Sequence, residues 1–159
     1  MENCRFLFKN NTWYFDIPFF IVIKDWSASA PNSHITGGMT YADGKLTVPT
    51  SGRYYIYAQF YYHHSGRIYL RVNSNIITML QPPAPYRSGS HGALYAGGVF
   101  QLKAGDAITL LATRIHGTAK GHMNPFHSYF GAFLIWCLDS SDQNSVFCGS
   151  RLFHFFKSQ

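Results

Sequence analysis

Ten residues, Arg53 to Tyr62 (RYYIYAQFYY), constrain this chain more than any other stretch. Nearly every position is β-branched or aromatic, and none is glycine or proline. Such residues fit a pleated surface, and an apolar run of this length reads as a central strand buried on both faces.

The segments around it have the same character. Leu46-Thr47-Val48 is a short strand between Asp43-Gly44 and Pro49-Thr50-Ser51-Gly52. His63-His64-Ser65-Gly66 reads as a turn after the aromatic run. Arg67 to Val72 alternates polar and apolar residues, the pattern of a half-buried strand. Asn73-Ser74-Asn75 reads as a tight turn, with Ile76 to Leu80 as the next strand. Gln81 to Gly92 is a loop rich in Pro, Gly and Ser. Ala93 to Leu102 and Ala107 to Thr113 are strands joined by the turn Lys103-Ala104-Gly105-Asp106. His116 to His127 reads as a loop, and Ser128 to Ile135 as the last strong strand. Short strands with turn signals between them predict an all-β sandwich or barrel. No segment between Trp26 and Ile135 has helical periodicity.

Composition narrows the function. Apolar residues make up 47% of the chain and charged residues 13%. So few charges leave little polar surface for a monomer, which predicts apolar area hidden between subunits. The net charge of +6 has no clustered stripe of the kind nucleic-acid binders carry, so no nucleic-acid partner is expected. An acidic protein surface or acidic glycan suits it equally.

No enzyme chemistry is legible. Between Trp26 and Ile135 the only acids are Asp43 and Asp106, both in turns, so paired-carboxylate catalysis is not expected. There is no GxSxG elbow and no phosphate loop. Adjacent His63 and His64 point to opposite faces of a strand. His122 and His127 fall in the expected loop with no cysteine or carboxylate beside them. No three- or four-ligand zinc set is legible, and no cofactor is expected. Cys4, Cys137 and Cys148 form no CxxC pair. Cys137 and Cys148 could close a loop in an oxidising compartment, and three free thiols fit as well. Asn10-Asn11-Thr12 is a glycosylation sequon. The longest apolar run, Ile17 to Ile23, is broken by Pro18 and falls short of the ~20 residues that span a bilayer. No signal peptide is legible.

Four pieces, in order, carry a resemblance. Gly44 to Gly52 leads into Tyr54-Tyr-Ile-Tyr-Ala-Gln59. Leu94-Tyr-Ala-Gly-Gly-Val-Phe-Gln-Leu102 follows, then Lys103-Ala-Gly-Asp106, then Tyr129-Phe-Gly-Ala-Phe133. With Trp26 ahead of them, they resemble the tumour necrosis factor ligand superfamily over residues 26 to 135. The short turn at Asn73 is similar to the ectodysplasin and B-cell-activating subgroup. That subgroup has two cysteines where this chain has Leu80 and Leu94, so packing must hold the loop base here.

The resemblance implies an antiparallel two-sheet jelly-roll β-sandwich that forms a homotrimer. It implies a cytokine, extracellular or at the cell surface, that clusters cysteine-rich receptors. It places Tyr55, Tyr57, Tyr95, Val99, Tyr129 and Phe130 at the trimer interface. It places receptor contacts at His63, His64, Arg67, Asn73, Ser74, Asn75, Tyr86, Arg87, Arg114, His116 and Lys120. Residues 1–25 do not match the family's first-strand motif, and Phe19 to Ile23 is β-prone enough to substitute. Residues 136–159 extend past the family's usual end. A head of the complement-collagen type, or a trimerisation domain without receptor activity, remains an alternative.

Overall fold

A computed structural model describes residues 3–8, 15–16, 20–24, 26–29, 33–80, 91–122 and 127–137; for 3–8, 15–16, 62–65, 91, 114–122 and 137 it gives the backbone alone. Among these residues there is no helix, and so none that is long and apolar enough to cross a membrane. The strands are β1 (Asn3–Phe8), β2 (Phe15–Asp16), β3 (Phe20–Val22), β4 (Trp26–Ser27), β5 (His34–Ile35) and β6 (Thr40–Ala42). They continue with β7 (Lys45–Thr47), β8 (Gly52–Val72), β9 (Asn75–Leu80), β10 (His91–Leu102), β11 (Ala107–His122) and β12 (Tyr129–Cys137).

Local chemistry fixes the turns. Asp43 and Gly44 both have positive φ, 48° and 81°, which is what a two-residue type I′ hairpin between β6 and β7 demands. At the β8–β9 and β10–β11 turns, where Asn73 and Gly105 also take positive φ of 55° and 88°, a polar clamp is added. Asp106 accepts the Lys103 amide at 2.8 Å and the Asn73 side-chain amide at 2.9 Å. Asn73 in turn accepts the Ala107 amide at 3.0 Å. The β8–β9 turn is thereby tied to the β10–β11 turn.

All pairings are antiparallel, and the fold is a two-sheet jelly-roll sandwich. β8 belongs to both sheets. Its first part pairs with β10 and β12, and its second part with β9 and β11. β1 extends the first sheet beyond β12, while β7 and β6 extend the second beyond β11. The core lies between. Tyr54, Ile56, Ala58 and Phe60 point into it from one sheet, and Ile68, Leu70, Ile108 and Leu110 from the other. Trp26 closes it, its ring 4.8 Å from Phe130 and its indole N–H donated to the Ile23 carbonyl at 3.0 Å. Leu80 is fully buried and Leu94 packs on the core. The two positions without cysteines are held by packing.

Several expectations change. His63 to Gly66 is no turn, because β8 runs through it, with His63 paired to both β10 and β11 and His64 and Gly66 paired to β11. The expected His116 to His127 loop is strand as far as His122, with a bulge between Arg114 and Ala119. The place beside β12 belongs to Asn3–Phe8. Phe20–Val22 pairs instead with β11. The aromatic run is not buried on both faces of this chain: Tyr54, Ile56, Ala58 and Phe60 fill the core, and Arg53, Tyr55, Tyr57, Gln59 and Tyr61 look outward.

Candidate functional site

The outward side of the first sheet is the clearest functional surface. Residues paired across strands share a face, so the register reads directly as rungs. Val99, Tyr55 and Phe133 make one rung. Gly97, Tyr57 and Gly131 make the next, and Tyr95, Gln59 and Tyr129 the third. Tyr95 is 54% exposed, Val99 51% and Phe133 38%. Arg53 begins the face, its guanidinium 4.7 Å from the centre of the Trp136 ring. Among the rung positions of β8, β10 and β12 none between it and the third rung is charged, and Arg5 of β1 pairs with Gly131 at the edge of the middle rung.

The aromatic rings hold one another in place. Tyr55 lies 5.4 Å from Phe133 and 6.3 Å from Tyr57, and Tyr57 lies 6.3 Å from Tyr129. The hydroxyls of Tyr55, Tyr95 and Tyr129 are bonded within the chain. Tyr55 and Tyr95 share a hydrogen bond at 3.0 Å, and Tyr129 donates to Gln59 Oε1 at 3.1 Å. Gln59 donates to the His127 carbonyl at 3.1 Å. Burial, then the Tyr55 hydrogen bond, pushes the Tyr95 phenol up to about 12. It is uncharged at every physiological pH.

Gly97 makes the Tyr55–Tyr95 pair possible. A Cβ on Gly97 would stand 2.7 Å from the Tyr55 hydroxyl and 2.8 Å from that of Tyr95. The register of β10 is unbroken here, so the glycine serves a close approach of side chains rather than a bulge.

Five of the six expected interface residues meet on this face: Tyr55, Tyr57, Tyr95, Val99 and Tyr129. Phe130 does not. It is fully buried in the core against Trp26, because successive side chains of a strand alternate faces. Phe133 takes its place on the outside, and counting by two from Tyr129 would have found it.

The expected receptor contacts divide. Asn73, Ser74 and Asn75 are exposed at the β8–β9 turn. His63, His64 and Arg67 lie in β8, about 20–30 Å along the strand from that turn at ~3.3 Å per residue. There His63 pairs with Lys120, and Arg114 with Gly66. His116 falls within the β11 bulge. Tyr86, Arg87, Asn10 and Cys148 lie outside the described residues. Among described side chains, no three His, Cys, Asp or Glu come together.

Comparison with known proteins places this architecture. The model of the TNF (Tumour Necrosis Factor) family matches residues 24–135. The lymphotoxin-alpha of Rattus norvegicus is 25% identical over 130 residues, covering 69% of this chain and 63% of that protein. The tumor necrosis factor of Ovis aries is 31% identical over 107 residues, covering 53% of this chain and 45% of that protein. Among solved structures, Eiger TNF from S. frugiperda shares the fold, with TM-score 0.68 and 17% identity over 90% of this chain and 98% of that one. Murine APRIL at pH 5.0 does so at TM-score 0.61 and 19% identity, over 84% and 98%. The chain thus spans just under two thirds of the length of the lymphotoxin-alpha relative.

Proposed function

Because the chain belongs to the tumour necrosis factor family, we propose that it is a cytokine domain that assembles as a homotrimer and signals by clustering cysteine-rich receptors of the tumour necrosis factor receptor type. The observation that carries this reading is the aromatic face. Tyr95, Val99 and Phe133 stand exposed on a surface where the hydroxyls of Tyr55, Tyr95 and Tyr129 are already bonded within the chain. A face of that kind is suited to burial against another copy. Ile76 and Met79, 55% and 43% exposed on β9, form a second and different apolar patch. A closed ring of three joins two unlike patches, as these are.

In the trimer, receptors sit along the seams between subunits. The surface we assign to them is the adjoining stretch of β8 and β11, with Arg67, Arg114, His63, His64, His116 and Lys120. The Asn73–Asn75 turn forms a separate contact at the other end. No catalytic group is involved. Three weak sites on one particle bind a clustered receptor far more tightly than one site does. The protein acts outside the cell or at its surface.

The test is a binding screen of the purified chain against immobilised cysteine-rich receptor ectodomains. A positive should lose at least about tenfold in affinity, or ~1.4 kcal/mol, when Arg67 is changed to Ala. A trimer that binds no such ectodomain would point to a trimerisation domain without receptor activity. A trimer whose binding ignores Arg67→Ala would move the contact to the Asn73–Asn75 turn.

A further inference from the structure

Strand alternation along β12 breaks just past the aromatic face. Counting by two from Phe133 puts Ile135 next on the outward side, yet a bulge between Leu134 and Trp136 brings Trp136 opposite Arg53 instead. Bulges re-aim side chains in this way. The Trp136 ring lies 4.7 Å from the Arg53 guanidinium. Arg53 pairs on its other side with Gln101, so Gln101, Arg53 and Trp136 share one rung. At the same level a groove of about 530 Å³ opens beside the edge of β10. Among the described strands β9 and β10 each pair with β8 alone, and the groove is lined from both. Val72, Ile77, Phe100 and Leu102 are its apolar lining, and Gln101, Lys103 and Asp106 are among its polar residues.

We infer that this groove receives the Trp136 ring of the next copy of the chain. The inference rests on the trimer proposed above and names a contact that closes it. In a ring built by rotation alone, residues of one copy meet residues of the next at the same height along the axis. With the strands of the aromatic face running along that axis, the groove and the Arg53–Trp136 pair stand at one height. The groove also borders both surfaces assigned to the contact. Through Gln101 it continues the aromatic face past Val99, and through Asn75 and Ile77 it reaches Ile76. The chain's own Trp136 does not fill it, because β10 and β12 lie on opposite sides of β8, two strand spacings or about 10 Å apart. The fit is apolar first: an indole is a large flat apolar body with one N–H donor. Asp106 is the acid of the lining. It accepts the Lys103 amide and the Asn73 side-chain amide, and a carboxylate has room for about four such bonds. Lys103 repels the Arg53 that accompanies the ring, so the ring rather than the charge carries the contact. Tryptophan is enriched among the residues that dominate interface energy.

The experiment is sedimentation equilibrium of the full chain and three variants, with tryptophan emission read on the same samples. A cyclic trimer forms three such contacts. Trp136→Ala should therefore lower the trimerisation constant by about tenfold per contact, roughly a thousandfold in all. Trp136→Phe should keep most of the parent's constant. Gln101→Trp, at an exposed position of the lining, should weaken the trimer by filling the groove from its own chain. Combined with Trp136→Ala it should add little, since both changes remove one contact. The emission difference between the parent and Trp136→Phe isolates this ring. It should shift to the blue as concentration rises through assembly, because the ring leaves water. Far-UV circular dichroism identifies a variant that fails to fold, and if Trp136→Ala does so, Gln101→Trp and the emission carry the test. A parent trimer whose constant ignores both Trp136→Ala and Gln101→Trp, or whose Trp136 emission does not move on assembly, overturns the inference and leaves the trimer standing. A parent that is monomeric at every concentration defeats the trimer and the inference with it.

Discussion

Gly97→Val is expected to abolish trimer formation while leaving the sandwich folded. The added Cβ would stand 2.7 and 2.8 Å from two tyrosine hydroxyls. Both atoms sit at the ends of side chains on an open face, so Tyr55 and Tyr95 can swing aside. Valine also favours a strand, so the chain itself loses little. The contact face fares differently. The Tyr55–Tyr95 hydrogen bond breaks and both rings are displaced from the surface that meets the next subunit. Misfit of this kind costs about 1–3 kcal/mol per subunit. Three subunits carry it at once, so the trimerisation constant falls at least roughly a hundredfold. Sedimentation equilibrium reads the assembly, and circular dichroism the fold. A Gly97→Val chain that stays trimeric at the parent's concentrations would remove this face from the contact.

Phe130→Ala and Phe133→Ala should behave oppositely, although they lie three residues apart on one strand. Phe130 is completely buried, and its ring meets Trp26 at 4.8 Å. Truncation there leaves a cavity and should cost about 3–5 kcal/mol. Marginal domains hold only about 5–15 kcal/mol in all, so this change brings the chain close to unfolding at ordinary temperature. It appears as a lower urea midpoint with unchanged slope. Phe133 is 38% exposed and packs on Tyr55. Its truncation should leave the monomer nearly as stable and weaken assembly. If Phe130→Ala unfolds at the parent's midpoint, the division of β12 into core and contact faces is wrong.

The strands, their order and the aromatic face were legible because they are written in local pattern and spacing. Tyr55, Tyr57, Tyr95, Val99 and Tyr129 fall on one face once β8 is paired with β10 and β12. Phe130 was misplaced by its adjacency to Tyr129, where a count of two leads to Phe133. The turn expected at His63 to Gly66 was sound as composition. Pairing to β10 up to His63 and to β11 from His63 to Gly66 overrides it, because long-range pairing outweighs local preference. The first strand was missed for a related reason. Phe19 to Ile23 is the more strand-like segment, yet Asn3–Phe8 takes the place beside β12. Edge position is decided by which backbone finds a free partner, and propensity ranks candidates only weakly.

The central claim is that the aromatic face closes three chains into one particle. Sedimentation equilibrium of the parent chain over a hundredfold range of concentration tests it most directly. The account predicts a mass three times the 18.0 kDa of one chain, constant until dissociation sets in at the lowest loading. A mass of 18.0 kDa at every concentration would contradict it.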